Sequence, residues 1–326
     1  MEFVGATVER YDGDGYQDAP GSPIVEQWEF YNEPDREFNT YDGRWGNNGA
    51  EYAEMLKLVY PVVKASNPDA KVVFGGLAYD FFTDQNGPFV RSFLTDVLAA
   101  GGGNYFDIFN FHTYPAFAMN WLPSNAVRGP GLLQKAEYLR AELADAGIEK
   151  PMIVTEAGWH SNDAPNVPGS PTIQASYVIQ LFTQSYAADL DYMIWWMLYD
   201  PGDGSLYNGL VNWDPPTRKL SFYVYQNMVS TMKDATFVRP LTANELEDVA
   251  EEAYLFNRDN RDFYIAWANP VDTEKQFPLR VPANNVTVMD MLGQVTDTIN
   301  DQDDGSQDGY VTVTLMNTPV YIEVTE

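Results

Sequence analysis

From residue 23 to residue 233 the chain alternates between two hydrophobic patterns. Short runs rich in aliphatic and aromatic residues predict strands: "PIVEQWEF" (23–30), "KVVFGGLA" (71–78), "FDIFNFHTY" (106–114), "PMIVTEAG" (151–158) and "YMIWWML" (192–198). Each is followed by a longer segment with apolar residues at helical spacing: "GAEYAEMLKLVYPVVKAS" (49–66), "PFVRSFLTDVLAA" (88–100), "GLLQKAEYLRAELADAG" (131–147), "IQASYVIQLFTQSYAAD" (173–189) and "RKLSFYVYQNMVSTMK" (218–233). Gly147 supplies a helix stop for the third. The strands read as unbroken apolar runs, as in a parallel sheet covered on both faces. The start, "MEFVGATVERY", reads as the tail of a further helix.

Beyond residue 233 the pattern changes. "EAYLFNR", "DFYIAWANP", "NNVTVMDMLG", "YVTVTLMN" and "PVYIEVTE" are short, turn-separated and β-rich, with no helical stretch between them. The expected organisation is a β/α domain over 1–233 and a small antiparallel, sandwich-like β domain over 234–326.

A parallel β/α array is an open doubly wound sheet or a closed barrel. A doubly wound sheet gathers its ligand at one switch point, usually beside a glycine-rich phosphate loop, and no G-x-G-x-x-G or P-loop motif is present. Here four of the five strands carry polar groups at their C-terminal ends: Asn32 and Glu33, His112 and Tyr114, Glu156, and Trp196 with Asp200. Strand C-termini that converge on one mouth are the mark of a (β/α)8 TIM barrel.

Composition narrows the chemistry. The 326 residues include 47 acidic and 19 basic side chains, a formal net charge of −28, which argues against nucleic acid and anionic membranes as partners. There is no cysteine and there are two histidines, His112 and His160, so no metal site and no cofactor is expected. No apolar run is long enough for a membrane span. No signal peptide is visible, and an extracellular location is favoured. Asp- and Gly-rich loops at 11–18, 200–204 and 300–308 lack the spacing of a calcium loop and read as solvated turns.

Glu33 and Glu156 are then the candidate reactive pair. Two carboxyls facing each other across a barrel mouth, one protonated and one ionised, are the machinery of glycoside hydrolysis. Trp45 and Trp159 are candidates to stack on sugar rings, and His160 and Asn162 are possible further contacts.

These motifs, in this order, resemble the clan A glycoside hydrolases, the retaining (β/α)8-barrel group. "WEFYNEPD" is similar to the motif that ends the fourth barrel strand, which implies Glu33 as acid/base and Asn32 as ligand of the sugar 2-hydroxyl. "IVTEAGW" resembles the seventh-strand motif, which implies Glu156 as nucleophile. "FHTYP" resembles the sixth-strand His-x-Tyr motif, so Tyr114 would hydrogen-bond the nucleophile with His112 close by. "WWMLYD" resembles the eighth strand, with Trp196 as sugar platform and Trp195 facing the other way. The appended β domain suggests glycoside hydrolase family 39, the xylosidase and iduronidase group.

The resemblance leaves the first three barrel strands without a counterpart, and with them an Arg on the second and a His on the third. The expectation is therefore an N-terminally truncated barrel holding strands 4–8. It would act on a neutral β-linked carbohydrate by double displacement, or, as the alternative, persist as an incomplete fragment with at most carbohydrate binding.

Overall fold

The structure, a computed structural model, describes residues 1–37, 43–122, 129–164, 167–202, 206–246, 248–271, 274–302 and 305–325. Its elements in chain order are α1 (Glu2–Arg10), β1 (Gln27–Asn32), α2 (Gly49–Ser66), β2 (Lys71–Gly76), α3 (Phe93–Ala99), β3 (Phe109–Thr113), α4 (Leu132–Asp145), β4 (Met152–Ala157), α5 (Pro171–Ala187), β5 (Met193–Trp195) and α6 (Leu220–Met232). Eight strands follow: β6 (Thr236–Pro240), β7 (Glu251–Arg258), β8 (Arg261–Ala268), β9 (Phe277–Pro282), β10 (Asn285–Met289), β11 (Val295–Asn300), β12 (Tyr310–Leu315) and β13 (Val320–Thr325). The fold is α/β with a β-sheet domain. Among the described residues no helix is long and apolar enough to cross a membrane.

The chain divides into two compact units. The first comprises Met1–Thr113, Ala136–Glu156 and Leu190–Ile194. In it β1 pairs with β2 in parallel, and Val73 and Leu77 bridge in parallel to Ile108 and Phe111. β3, β4 and β5 lie side by side in a three-stranded sheet. The strands thus run in sequence order from β1 to β5. Among the described residues β1 pairs only with β2 and β5 only with β4, and no closed ring of strands is formed.

Position in this array decides burial. β2 and β3 are buried almost throughout, as an unbroken apolar run predicts. β1 is not: Gln27, Glu29, Tyr31 and Asn32 are exposed, because the strand lies at the end of the array. On β5, at the other end, Ile194 is exposed while Met193 and Trp195 are buried.

Helix ends follow local chemistry. Gly147, at φ +73, closes α4, with Ile148 N–H reaching the Leu143 carbonyl at 2.9 Å. α3 starts five residues later than its apolar pattern, because 88–90 are held as extended chain. Pro88 accepts from Glu37 N–H at 2.7 Å, and Val90 N–H donates to the Asp35 carbonyl at 2.9 Å.

The second unit comprises Tyr114–Lys135, Ala157–Asp189 and Trp195–Glu326. Its larger sheet is antiparallel, in the order β11-β10-β13-β8-β7-β6, and β12 pairs with β9 in a second. Leu255, Ala266 and Ile322 of the first sheet share one apolar core with Leu279, Val281 and Val313 of the second. β6, β9 and β11 were not legible as separate strands, being short and partly exposed.

α5 belongs to this unit and begins on a strong local signal. Ser170 Oγ accepts from Ile173 N–H at 3.1 Å, and Pro171 fills the first helical position. Its Gln184 is fully buried and donates to the Glu252 carboxylate at 2.7 Å. Tyr254 and Asn269 also donate to Glu252, each at 2.6 Å. Burial raises the pKa of Glu252, and the three donors to its carboxyl pull it back.

Candidate active site

The stretch after β1 is bent by its own backbone. Tyr31 and Glu33 take left-handed φ values of 80 and 47, which costs about 1–2 kcal/mol per non-glycine residue. Tyr31 drops out of the β1–β2 register, and Glu33 N–H returns to the Gly76 carbonyl at 2.9 Å. The turn is pinned from below by Asp35, which is fully buried and accepts N–H bonds from Tyr79 at 2.7 Å and Ala78 at 3.2 Å. Burial pushes the Asp35 carboxyl up to about 7, against the pull of those two N–H groups.

Glu33, His112 and Glu156 come together at the C-terminal ends of β1, β3 and β4. One ligand atom of each, a carboxyl oxygen or ring nitrogen, lies within 4.8 Å of the others. Nδ1 of the buried His112 stands 3.2 Å from Glu33 Oε1 and 3.6 Å from Glu156 Oε2. The two carboxyls keep a similar small exposure, 18% and 17% of the side chain, so both can be reached from solvent. Arg36 approaches Glu33 Oε2 at 3.9 Å.

Below this trio is a polar layer. His112 Nε2 is 3.3 Å from Thr155 Oγ1. Asn110 donates to that oxygen at 2.7 Å and accepts from Thr155 N–H at 3.1 Å. Gly76 N–H donates to Glu29 Oε1 at 2.8 Å. Glu29 is exposed as a residue, but its carboxyl end is partly desolvated among these groups, which raises its pKa, while Gly76 N–H, His112 and Thr155 pull it back.

The sequence expectations met different fates. Asn32 ends β1 and is exposed. Tyr114 follows β3 directly and is half-buried. Trp196 is 42% exposed, while Trp195 is buried, with its Nε1 donating to the Asn208 carbonyl at 2.9 Å. Trp159 is 3% exposed, its ring stacked on His160 and packed on Tyr177, with Nε1 donating to the Pro168 carbonyl at 3.1 Å. As placed, that ring offers no open face to a sugar. Asp200, grouped with the reactive strand ends in the sequence, is buried and ion-paired to Lys219 at 2.6 Å.

In the loop at 11–18 the carboxylates of Asp12, Asp14 and Asp18 accept the backbone N–H groups of Asp14, Tyr16 and Gly15. Asp12 and Asp14 also bring oxygens within 4.8 Å of Glu9. Asp203, Gly204, Asp303 and Asp304 of the other two loops lie outside the described residues.

Sequence reading missed Gly76, Glu29, Asn110, Thr155 and Asp35. The available signals were a Gly-Gly pair inside a strand and polar residues interrupting apolar runs. A cavity of about 890 Å³ lies at the opposite, N-terminal ends of the strands, lined by Gln27, Lys71, Ile108, Pro151 and Asp191 among others.

Comparison with known proteins places this geometry in context. A family 39 glycoside hydrolase from the gut symbiont Bacteroides cellulosilyticus is similar in structure, with a TM-score of 0.69 and 22% identity over 99% of this chain and 61% of that one. The fold is similar to that of glycoside hydrolases. A family 30 endoxylanase from Clostridium papyrosolvens has a TM-score of 0.58 at 13% identity, covering all of this chain and 70% of the other. A family 44 xyloglucanase from Paenibacillus polymyxa has a TM-score of 0.61 at 12% identity, with the same coverages. The chain therefore spans about three-fifths of the family 39 structure. No protein-family model matches the sequence, and no curated protein is significantly similar to it.

Proposed function

We propose that this chain is a retaining O-glycoside hydrolase acting on a neutral β-linked oligo- or polysaccharide. One observation carries the reading: carboxyl oxygens of Glu33 and Glu156 fall within 4.8 Å of each other, at the C-terminal ends of β1 and β4. Retention needs carboxyls about 5–5.5 Å apart, and inversion leaves room for water at about 6.5–9.5 Å.

In the first step ionised Glu156 attacks the anomeric carbon. The glycosidic C–O bond breaks, its electron pair goes to the leaving oxygen, and that oxygen takes the proton held by Glu33. A glycosyl ester on Glu156 and a free alcohol result. Glu33, now ionised, removes a proton from water as the water oxygen attacks the same carbon. Glu156 leaves as carboxylate, Glu33 regains its proton, and two inversions give net retention.

Asn32, Tyr114 and Trp196 are assigned to the substrate. Asn32 holds the 2-hydroxyl, Tyr114 steadies the nucleophile and Trp196 presents a face to the sugar. His112 contacts both carboxyls. On this reading β1 to β5 correspond to strands four to eight of a (β/α)8 barrel. Residues 1–233 form the catalytic part and 234–326 an appended β domain.

The test is hydrolysis of aryl β-xyloside, glucoside, galactoside and mannoside, with xylan and xyloglucan added because similar structures are named as an endoxylanase and a xyloglucanase. Wild type is compared with Glu156→Ala, and the first-formed anomer is read by NMR. Hydrolysis with retained configuration, lost in the variant, is expected. No turnover on any substrate, an inverted product, or full activity in Glu156→Ala would each overturn the proposal.

A further inference from the structure

We propose that a cavity beside Trp213, in the loop between β5 and α6, is a further carbohydrate-binding site, in which one pyranose ring of a neutral oligosaccharide stacks on the indole of Trp213. The choice of a sugar as ligand rests on the glycosidase reading; the presence of a built aromatic surface on this loop does not.

The loop is held in shape by its own backbone. Leu210 N–H donates to the Met197 carbonyl at 3.1 Å, Val211 N–H to the Leu198 carbonyl at 2.9 Å, and Asp200 N–H to the Val211 carbonyl at 2.9 Å. Val211 also forms an antiparallel bridge with Arg218. Beneath these turns lies the buried pair of Asp200 and Lys219. Asp200 Oδ1 also accepts from Gly209 N–H at 2.9 Å, and Lys219 Nζ reaches the Tyr207 carbonyl at 3.2 Å. Asn212 closes the tip that carries Trp213: its N–H donates to the Thr217 carbonyl at 2.9 Å and its Nδ2 to Thr217 Oγ1 at 2.7 Å. Trp213 is thus anchored through the chain on both sides, so little ordering is left to be done on binding.

What this frame presents to solvent is apolar. A single exposed tryptophan needs no explanation. Here Trp213 is 61% exposed, and Leu198, Tyr199, Leu206 and Tyr207 of the same loop are exposed with it. A tryptophan this exposed has a ring face open. Tyr199 stands nearly perpendicular to the indole, at 87° with centroids 6.3 Å apart, and supports it. The cavity beside the indole has a volume of about 300 Å³, at the low end for ligand sites, which suits a sugar ring or two.

The lining selects the ligand. Besides Trp213 and Tyr207 it carries Asn212, Asp214 and Thr217, whose amide, carboxylate and hydroxyl are partners for sugar hydroxyls. Among the described residues that line it there is no basic side chain. Asp200 is neutralised by Lys219, and the exposed Asp214 carboxylate disfavours phosphates, sulfates and uronic acids. A neutral pyranose with equatorial hydroxyls fits both halves of the site. Its C–H face lies on the indole, and its hydroxyl rim meets the polar side chains.

The experiment is a ¹H–¹⁵N spectrum of the full chain carrying Glu156→Ala, so that the ligand is not consumed, titrated with xylohexaose, cellohexaose and mannohexaose. The chain has eight tryptophans, and the indole N–H signal of Trp213 is the one missing from Trp213→Tyr. That signal is expected to shift saturably with at least one hexasaccharide. By calorimetry Trp213→Leu, apolar but without a flat face, should bind that hexasaccharide about tenfold more weakly, and Trp213→Tyr, which keeps a ring, should retain most of the affinity. A Trp213 signal that no hexasaccharide moves, or equal affinity in Trp213→Leu, overturns the proposal. So does a dimer in sedimentation that Trp213→Leu dissociates, since the face would then be covered by a second copy of the chain. Turnover of aryl glycosides by wild type is read separately. An active chain with a silent Trp213 keeps the glycosidase reading and loses this site; an inactive chain whose Trp213 binds the sugar does the reverse.

Discussion

Gly76 lies against the imidazole of His112 so closely that a Cβ on the glycine would come within 2.0 Å of Nε2. The end of β2 is in effect the floor on which the central histidine rests, and side-chain volume there is traded directly against the position of the ring.

The first expectation follows from that contact. Gly76→Ala cannot be absorbed by a small adjustment, because the 2.0 Å approach requires the imidazole or the strand to move by more than about an ångström, at a cost of about 1–3 kcal/mol for overpacking. His112 must move, and kcat/KM should fall at least about 100-fold, as small misplacements near the chemistry do. Thermal melting and turnover on an aryl glycoside measure both. Unchanged turnover would mean that His112 is not seated as described.

Glu33 and Glu156 should be separable by leaving group. On the proposed roles, Glu33→Ala loses protonation of the departing oxygen, so the loss should approach about 10²–10⁴ for a poor leaving group and shrink for dinitrophenolate. Azide should restore part of the lost rate with an activated substrate. Glu156→Ala should be slow with every leaving group. Equal leaving-group sensitivity in the two variants would remove the distinction between acid and nucleophile.

Asp35 should write itself into the pH dependence of stability. Its folded carboxyl is raised from 3.8 to about 7 by burial, so the folded state binds a proton more tightly than the unfolded one. The associated stability is fully present below pH 3.8 and is lost as pH rises through about 7, by up to about 1.4 kcal/mol per pH unit. The melting temperature of wild type minus that of Asp35→Asn should therefore fall between pH 4 and 7 and level off above. Parallel curves would show that Asp35 does not titrate in that window.

Lys219 and Asp200 form a buried pair that also holds Ser161 Oγ at 2.9 Å. Lys219→Met leaves the carboxylate unpaired and should destabilise the chain by about 3–5 kcal/mol. Adding Asp200→Leu should recover a large part of the loss. A double variant no better than Lys219→Met would show that the two charges are not coupled. Denaturant titration reads the difference.

Much of this was legible along the chain. The boundaries of α2 match its apolar periodicity from Gly49 to Ser66. Asn32, Glu33, His112 and Glu156 announced themselves as polar groups at the ends of apolar runs, because a strand must place chemistry where its apolar stretch stops. Asp200 carried the same signal but is tied to Lys219. Position at a strand end does not distinguish a reactive carboxylate from an ion-paired one; the neighbour does.

The sequence by itself determined the elements, their order and the candidate carboxylates, since periodicity and strand-end polarity are local properties that depend on which side chains water excludes. Only the tertiary structure decided the rest. It brought Glu33 and Glu156, 123 residues apart in sequence, within 4.8 Å of each other. It left most of β1 and Ile194 of β5 exposed at the ends of the array, packed Trp159 away from solvent, and joined Asn110, Thr155 and His112 in one network. Distances between strands are set by hydrogen-bond register and packing between residues far apart in the chain, and no local pattern encodes them.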